Sequence, residues 1–245
     1  HEFANEALAL EEITAIPISA LKGDNIVESS ENTPWYDGQS VMEYLETVEV
    51  AASSQSRPFR MPVQWVNRPN REFRGFAGLI GSGCISTGDK IRVLPSGTES
   101  EVARIVTYDG DLELAGAGRS VTLTLTDEID ISRGDIITSA DAPCGSADQF
   151  QAHILWMDES AMMSGRQYLF KSNSQTSSMT LGHLKHKIDV NTLEELPAKV
   201  LDMNEIGVCN ISLSARIAFD PYDDDPVMGG FVIVDRMTNN TVGMG

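Results

Sequence analysis

The chain has 245 residues and carries 36 acidic against 18 basic side chains, a formal net charge of −18. That balance excludes general affinity for nucleic acid or anionic membranes, both of which need clustered Lys and Arg. Three widely spaced cysteines, Cys84, Cys144 and Cys209, rule out a disulfide framework and fit a reducing cytoplasm.

Three stretches read as helical. Residues 4–12 are rich in strong helix formers. Residues 40–48 set Val41, Leu45 and Val48 on one face, and 192–196 have the length of a single turn. His1 is not an initiator Met, so the chain reads as a fragment, and no stretch reads as a signal peptide or an apolar membrane span.

From Arg60 onward short strands recur between turn signals, over 60–67, 73–80, 90–94, 101–107, 120–126 and 135–138. In 120–126 Val121, Leu123 and Leu125 alternate with Ser and Thr, the pattern of a strand with one buried face. A break of Pro, Cys, Gly and Ser near 140–148 precedes a second series over 151–157, 166–172, 177–188, 207–218 and 229–235. The break is the kind of exposed joint that proteases cut. Two such series predict two antiparallel barrels, because closure removes exposed strand edges.

Few motifs carry chemistry. The run GSGCISTGDK (81–90) has the spacing of a phosphate loop from Gly83 to Gly88. Asp89 then stands where the lysine should be, and a strand follows where a helix should, so the run reads as a turn between strands. His183 and His186, three apart on a strand, point to opposite faces and do not make a zinc site. The acidic run 220–226 lacks the alternation and central glycine of a calcium loop and reads as a solvated turn. The carboxylates at Asp127, Glu128 and Asp130 lack a partner for acid–base work. No complete catalytic constellation is present.

The stretch Ile16-Pro17-Ile18-Ser19-Ala20-Leu21-Lys22-Gly23-Asp24-Asn25 resembles the guanine-contacting turn of translation-factor-type GTPases, whose order of parts matches elongation factor Tu. More specifically, the chain resembles the large, GTPase subunit of heteromeric sulfate adenylyltransferase (ATP sulfurylase). Pro34-Trp35-Tyr36-Asp37-Gly38, Val66-Asn67-Arg68-Pro69-Asn70, Phe73-Arg74-Gly75, Leu94-Pro95-Ser96-Gly97, 102–106, 125–135 and 235–243 carry this resemblance. It implies a mainly β fold of two consecutive antiparallel β-barrels, like domains 2 and 3 of elongation factor Tu, preceded by the remnant of an α/β GTPase domain. The expected layout is the remnant at 1–28, a linker with a short helix at 29–56, a first barrel at 57–142 and a second at 148–245.

The resemblance further implies a cytoplasmic nucleotidyltransferase of sulfate assimilation and cysteine biosynthesis. GTP hydrolysis in the large subunit would drive formation of adenosine 5′-phosphosulfate and pyrophosphate from ATP and sulfate. A small catalytic subunit is the implied partner, with no nucleic acid and no membrane. GTP and Mg²⁺ are the implied cofactors of the full-length protein. Here only Ser19, Ala20 and Leu21 remain to touch guanine, because the phosphate loop, Asp-x-x-Gly and Asn-Lys-x-Asp are all missing. The 245 residues alone are therefore expected to be inactive, with no catalytic or metal residue and no tight GTP binding. The alternative is a fragment of a translation factor whose barrels bind aminoacyl-tRNA, which the acidity opposes.

Overall fold

The computed structural model describes residues 13–48 and 52–245. The expected helix at 4–12 lies outside the described residues. The chain divides into two compact units, up to Ala52 and from Ser53 onward.

In the first unit α1, Val41–Thr47, starts at a capping box. The Ser40 side chain accepts the Glu43 N–H, and the Glu43 carboxylate accepts the Ser40 N–H in return. The apolar stripe expected on this helix exists, but none of its residues is buried.

The short helix α2, Ala52–Gln55, spans the division and leads along the chain into the first barrel. Its strands are β1 (Arg60–Pro62), β2 (Trp65–Asn67), β3 (Gly75–Leu79), β4 (Cys84–Ser86), β5 (Lys90–Leu94), β6 (Thr98–Thr107), β7 (Gly110–Leu112), β8 (Leu114–Gly116), β9 (Ser120–Leu125) and β10 (Ile136–Ser139). The main sheet runs β1-β10-β5-β6-β9-β3-β2, and an antiparallel bridge between Arg60 and Ser82 joins its first strand to the chain leaving β3. Alternation decides what lies inside. In β5 Ile91 and Val93 are buried while Lys90 and Arg92 face outward, and in β9 Val121 and Leu123 do the same. These residues pack with Met61, Phe76 and Ile105 into one core.

The second barrel comprises β11 (Gly145–Trp156), β12 (Gln167–Ser172), β13 (Gln175–Ile188), β14 (Glu195–Leu196), β15 (Ile206–Phe219), β16 (Val232–Val234) and β17 (Thr241–Met244), with α3 (Pro226–Gly229) between β15 and β16. The order β12-β16-β17-β11-β15-β13 closes through pairing of β12 with β13, a ring of six antiparallel strands. Trp156, Tyr168, Phe170, Leu181 and Ile233 fill it. The fold is mainly β with two barrels, as the strand series implied.

Four local readings differ. The strand expected over 60–67 is two strands, split at Val63-Gln64. Residues 192–196 form no helical turn: the Asp189 carboxylate accepts the Asn191 and Thr192 N–H groups, Leu193 takes a left-handed φ of 60°, and β14 follows. Pairing in the second barrel begins at Gly145, opposite Phe219, because small Gly and Ser side chains do not prevent ladder pairing. The break at 140–148 is exposed only in part: Asp141, Pro143, Gly145 and Asp148 face solvent, but the segment is anchored at its middle. Cys144 is buried with Leu94, Ile136, Ala218 and Met228 in a cluster drawn from both barrels.

Candidate functional site

The Ser19–Leu21 segment forms a tight turn closed by its own backbone. Ser19 bridges Asp24, and the Ser19 carbonyl accepts N–H groups from both Lys22 (3.2 Å) and Gly23 (2.8 Å). Gly23 takes φ +78° and Asn25 φ +56°, a left-handed region that suits these residue types. The Asn25 side chain clips the turn to its surroundings. Its Nδ2 donates to the Pro17 carbonyl and to Thr33 Oγ1, each at 2.8 Å, and its Oδ1 accepts the Ser30 N–H at 2.7 Å. Asp24 accepts from Ser30 Oγ and Asn32 Nδ2, and these two bonds hold its carboxyl below the usual carboxylate range.

Ala20 and Leu21 stand on this clipped frame. Leu21 is 96% exposed, and neither residue donates a backbone hydrogen bond among the described residues. The turn therefore presents two unengaged N–H groups beside one small side chain. No group of three or more His, Cys, Asp or Glu side chains is placed to hold a metal ion among the described residues.

The GSGCISTGDK run holds the short strand β4 as well as a turn, at 87–89, that leads from it into β5. Asp89, the residue that disqualified a phosphate loop, accepts the Ser86 N–H through its side chain at 2.7 Å and so closes the turn. His183 is exposed, and His186 Nδ1 lies 3.4 Å from Glu195. Asp127 accepts from Ser100 Oγ, whereas Asp130 is exposed and pairs with Arg74. These carboxylates serve separate contacts and share no site.

The acidic run 220–226 is solvated at 221–224 and Pro226, as expected, but Asp220 and Asp225 are engaged. Asp220 forms a bidentate pair with Arg60 of β1, Nε to Oδ2 at 2.6 Å and Nη2 to Oδ1 at 3.2 Å. Arg60 is 5% exposed and also donates to the carbonyls of Phe59 and Ala142. Asp225 caps α3 by accepting the Val227 and Met228 N–H groups, and lies 3.8 Å from Arg57. Met228 enters the cluster shared by both barrels. The loop after β15 is therefore a hook onto the start of the first barrel. Sequence reasoning missed it because a run of aspartates between prolines has the composition of a free turn, and its arginine lies 160 residues away.

The paired antiparallel barrels have counterparts among known proteins. Residues 149–245 match the GTP-eEF1A C-terminal domain-like family. Two solved structures of sup35, with GMPPNP and with GDP, superpose with TM-scores of 0.73 and 0.72, each over 94% of this chain at 22% identity. They cover 56% and 57% of those chains, and at that identity they attest the fold alone.

Over its whole length the chain is similar to sulfate adenylyltransferase subunit 1. It is 50% identical to that subunit of Aliarcobacter butzleri over all of this chain and 52% of the relative, and 48% identical to that of Alteromonas mediterranea over 98% and 51%. It is also 51% identical to the bifunctional enzyme NodQ of Rhizobium meliloti, over 99% of this chain and 38% of that protein. The chain thus spans about half the length, or less, of the curated relatives it matches. No helix among the described residues is long and apolar enough to cross a membrane.

Proposed function

We propose that this chain is the barrel region of the GTP-binding, regulatory subunit of a sulfate adenylyltransferase. In the complete enzyme, GTP hydrolysis would be coupled to formation of adenosine 5′-phosphosulfate and pyrophosphate from ATP and sulfate, in the cytoplasm. The observation that carries the reading is 50% identity to subunit 1 of Aliarcobacter butzleri across all of this chain.

The role of these residues is mechanical. Ser19, Ala20 and Leu21 would hold the guanine base, while GTP bound with Mg²⁺ supplies the hydrolysable phosphoanhydride. Without phosphate-binding motifs the chain alone holds GTP too weakly for a micromolar titration to detect. The Arg60–Asp220 hook and the shared apolar cluster tie the barrels into one body, which suits an element that passes a docking change to a partner. A separate small catalytic subunit would supply the ATP and sulfate pocket. Size-exclusion chromatography of this chain mixed with the small subunit of Aliarcobacter butzleri tests the reading. A shared peak supports it, and separate elution at tens of micromolar counts against it.

A further inference from the structure

We infer that the loop joining β2 to β3, with Trp65 at its base, docks a carboxylate-rich face of the small subunit. The inference rests on the function proposed above and adds the surface and its chemistry. Basic side chains number 18 against 36 acidic ones over the whole chain, yet Arg68, Arg71 and Arg74 fall within seven residues against the single Glu72. Arg74 is engaged by Asp130 at 3.3 Å and lies 5.6 Å over the Phe76 ring. Arg68 and Arg71 are exposed and make no ion pair or hydrogen bond among the described residues. Thus two permanent charges stand unneutralised on a molecule rich in carboxylates.

The surroundings suit a protein partner. Strand alternation turns Val66 toward the core and leaves Trp65 outward, 68% exposed. Trp65 pairs with Ala77, which puts it on the same face as the exposed Leu79. Arg133 donates to the carbonyl of Gln64, the residue before Trp65, at 2.6 Å. A cleft of about 380 Å³, lined by Gln64, Leu79 and Arg133 among others, borders this face. Tryptophan and arginine are among the residue types that dominate binding energy at protein interfaces.

The loop is also set in advance. Asn70 Oδ1 accepts the N–H groups of both Glu72 and Phe73 at 2.9 Å. The Phe73 ring packs so closely on Gly75 that an added Cβ would lie 2.8 Å from it. Little ordering entropy remains to be lost on docking. Guanidinium groups pair with carboxylates in a bidentate fork, which selects an acidic protein face. A nucleic acid would be repelled by the rest of the chain.

The test is the dissociation constant between this chain and the small subunit at low salt, for four proteins. These are the wild type, Arg68→Glu/Arg71→Glu, the milder Arg68→Gln/Arg71→Gln, and Lys171→Glu/Lys199→Glu as a control of equal charge on the second barrel. Melting curves confirm folding, since Arg68 and Arg71 have no hydrogen bond or ion pair to lose among the described residues. The reversal at 68 and 71 is expected to weaken binding tenfold or more, the neutral pair to fall between, and the control to stay within twofold. Equal loss in the control, or a reversed loop that binds within twofold of wild type, overturns the inference and leaves the proposed function standing. A wild-type chain that does not bind overturns both.

Discussion

Replacing Arg60 by methionine keeps most of the side-chain stem and removes one charge from the junction of the barrels. Four hydrogen bonds vanish: two to the Asp220 carboxylate and one each to the carbonyls of Phe59 and Ala142. Asp220, whose side chain is 15% exposed, is left as a charge without its partner. Stranding one member of a buried pair costs about 3–5 kcal/mol, mostly the desolvation of the remaining charge. For a unit of this size each kcal/mol lowers Tm by about 2–4 °C, so the expected fall is roughly 6–20 °C. Urea titration of wild type, Arg60→Met, Asp220→Asn and the double variant closes a thermodynamic cycle. The double variant should recover part of the loss, with a coupling of about 2 kcal/mol or more. A loss under about 1 kcal/mol in Arg60→Met, or strictly additive single variants, would refute the claim that this pair joins the barrels.

Three further outcomes follow from local geometry. Gly83 has φ +71° and an added Cβ would meet the Phe59 backbone nitrogen at 2.5 Å, whereas Gly88, at φ +90°, has open space. Gly83→Ala should therefore cost clearly more than the roughly 1–2 kcal/mol of left-handed strain expected for Gly88→Ala, read from denaturation midpoints; equal costs would show that the clash is relieved. Burial, and then the Asp220 charge, push the Cys144 thiol up to about 12, and burial pushes Cys209 to about 11, from an ordinary 9.0. The folded chain then keeps protons that the unfolded chain loses, so stability should fall as pH rises above about 9, and Cys144→Ala should make that fall shallower. Hydrogen bonds from the Thr238 and Met237 N–H groups hold Asp235 below the ordinary carboxylate range. Its contribution is present above about pH 4 and is lost as pH drops through the lower folded value. The stability gap between wild type and Asp235→Asn should accordingly close in acid, and a gap constant from pH 7 to pH 2 contradicts this.

Much of the fold was legible because it rests on local rules. The alternation in 90–94 and 120–126 marks strands whose inward residues are the observed core, and turn residues such as Asp89 fall where the chain reverses. What stayed hidden depends on distant partners. Three-residue strands such as β4, β7 and β8 are too short to show a period and exist by pairing. Gly145 and Ser146 carry no strand propensity and are recruited by Phe219 and Ala218 across the ladder. In the candidate site, the Ser-Ala-Leu turn was visible as a motif, but the Asn25 clip that fixes it becomes evident only when Pro17, Ser30 and Thr33 converge on one side chain. The hook at Asp220 was read as solvated because a charge run shows its sign and not its partner.

The most direct measurement concerns the proposed role in sulfate activation. A chimera would carry this chain in place of the equivalent half of Aliarcobacter butzleri subunit 1, expressed with that organism's small subunit. Formation of adenosine 5′-phosphosulfate from ATP and sulfate would be followed with and without GTP. The account predicts a complex that co-purifies and a rate of adenosine 5′-phosphosulfate formation raised severalfold by GTP. A folded chimera that co-purifies but forms the product at the same rate without GTP, or one that does not assemble with the small subunit, would contradict it.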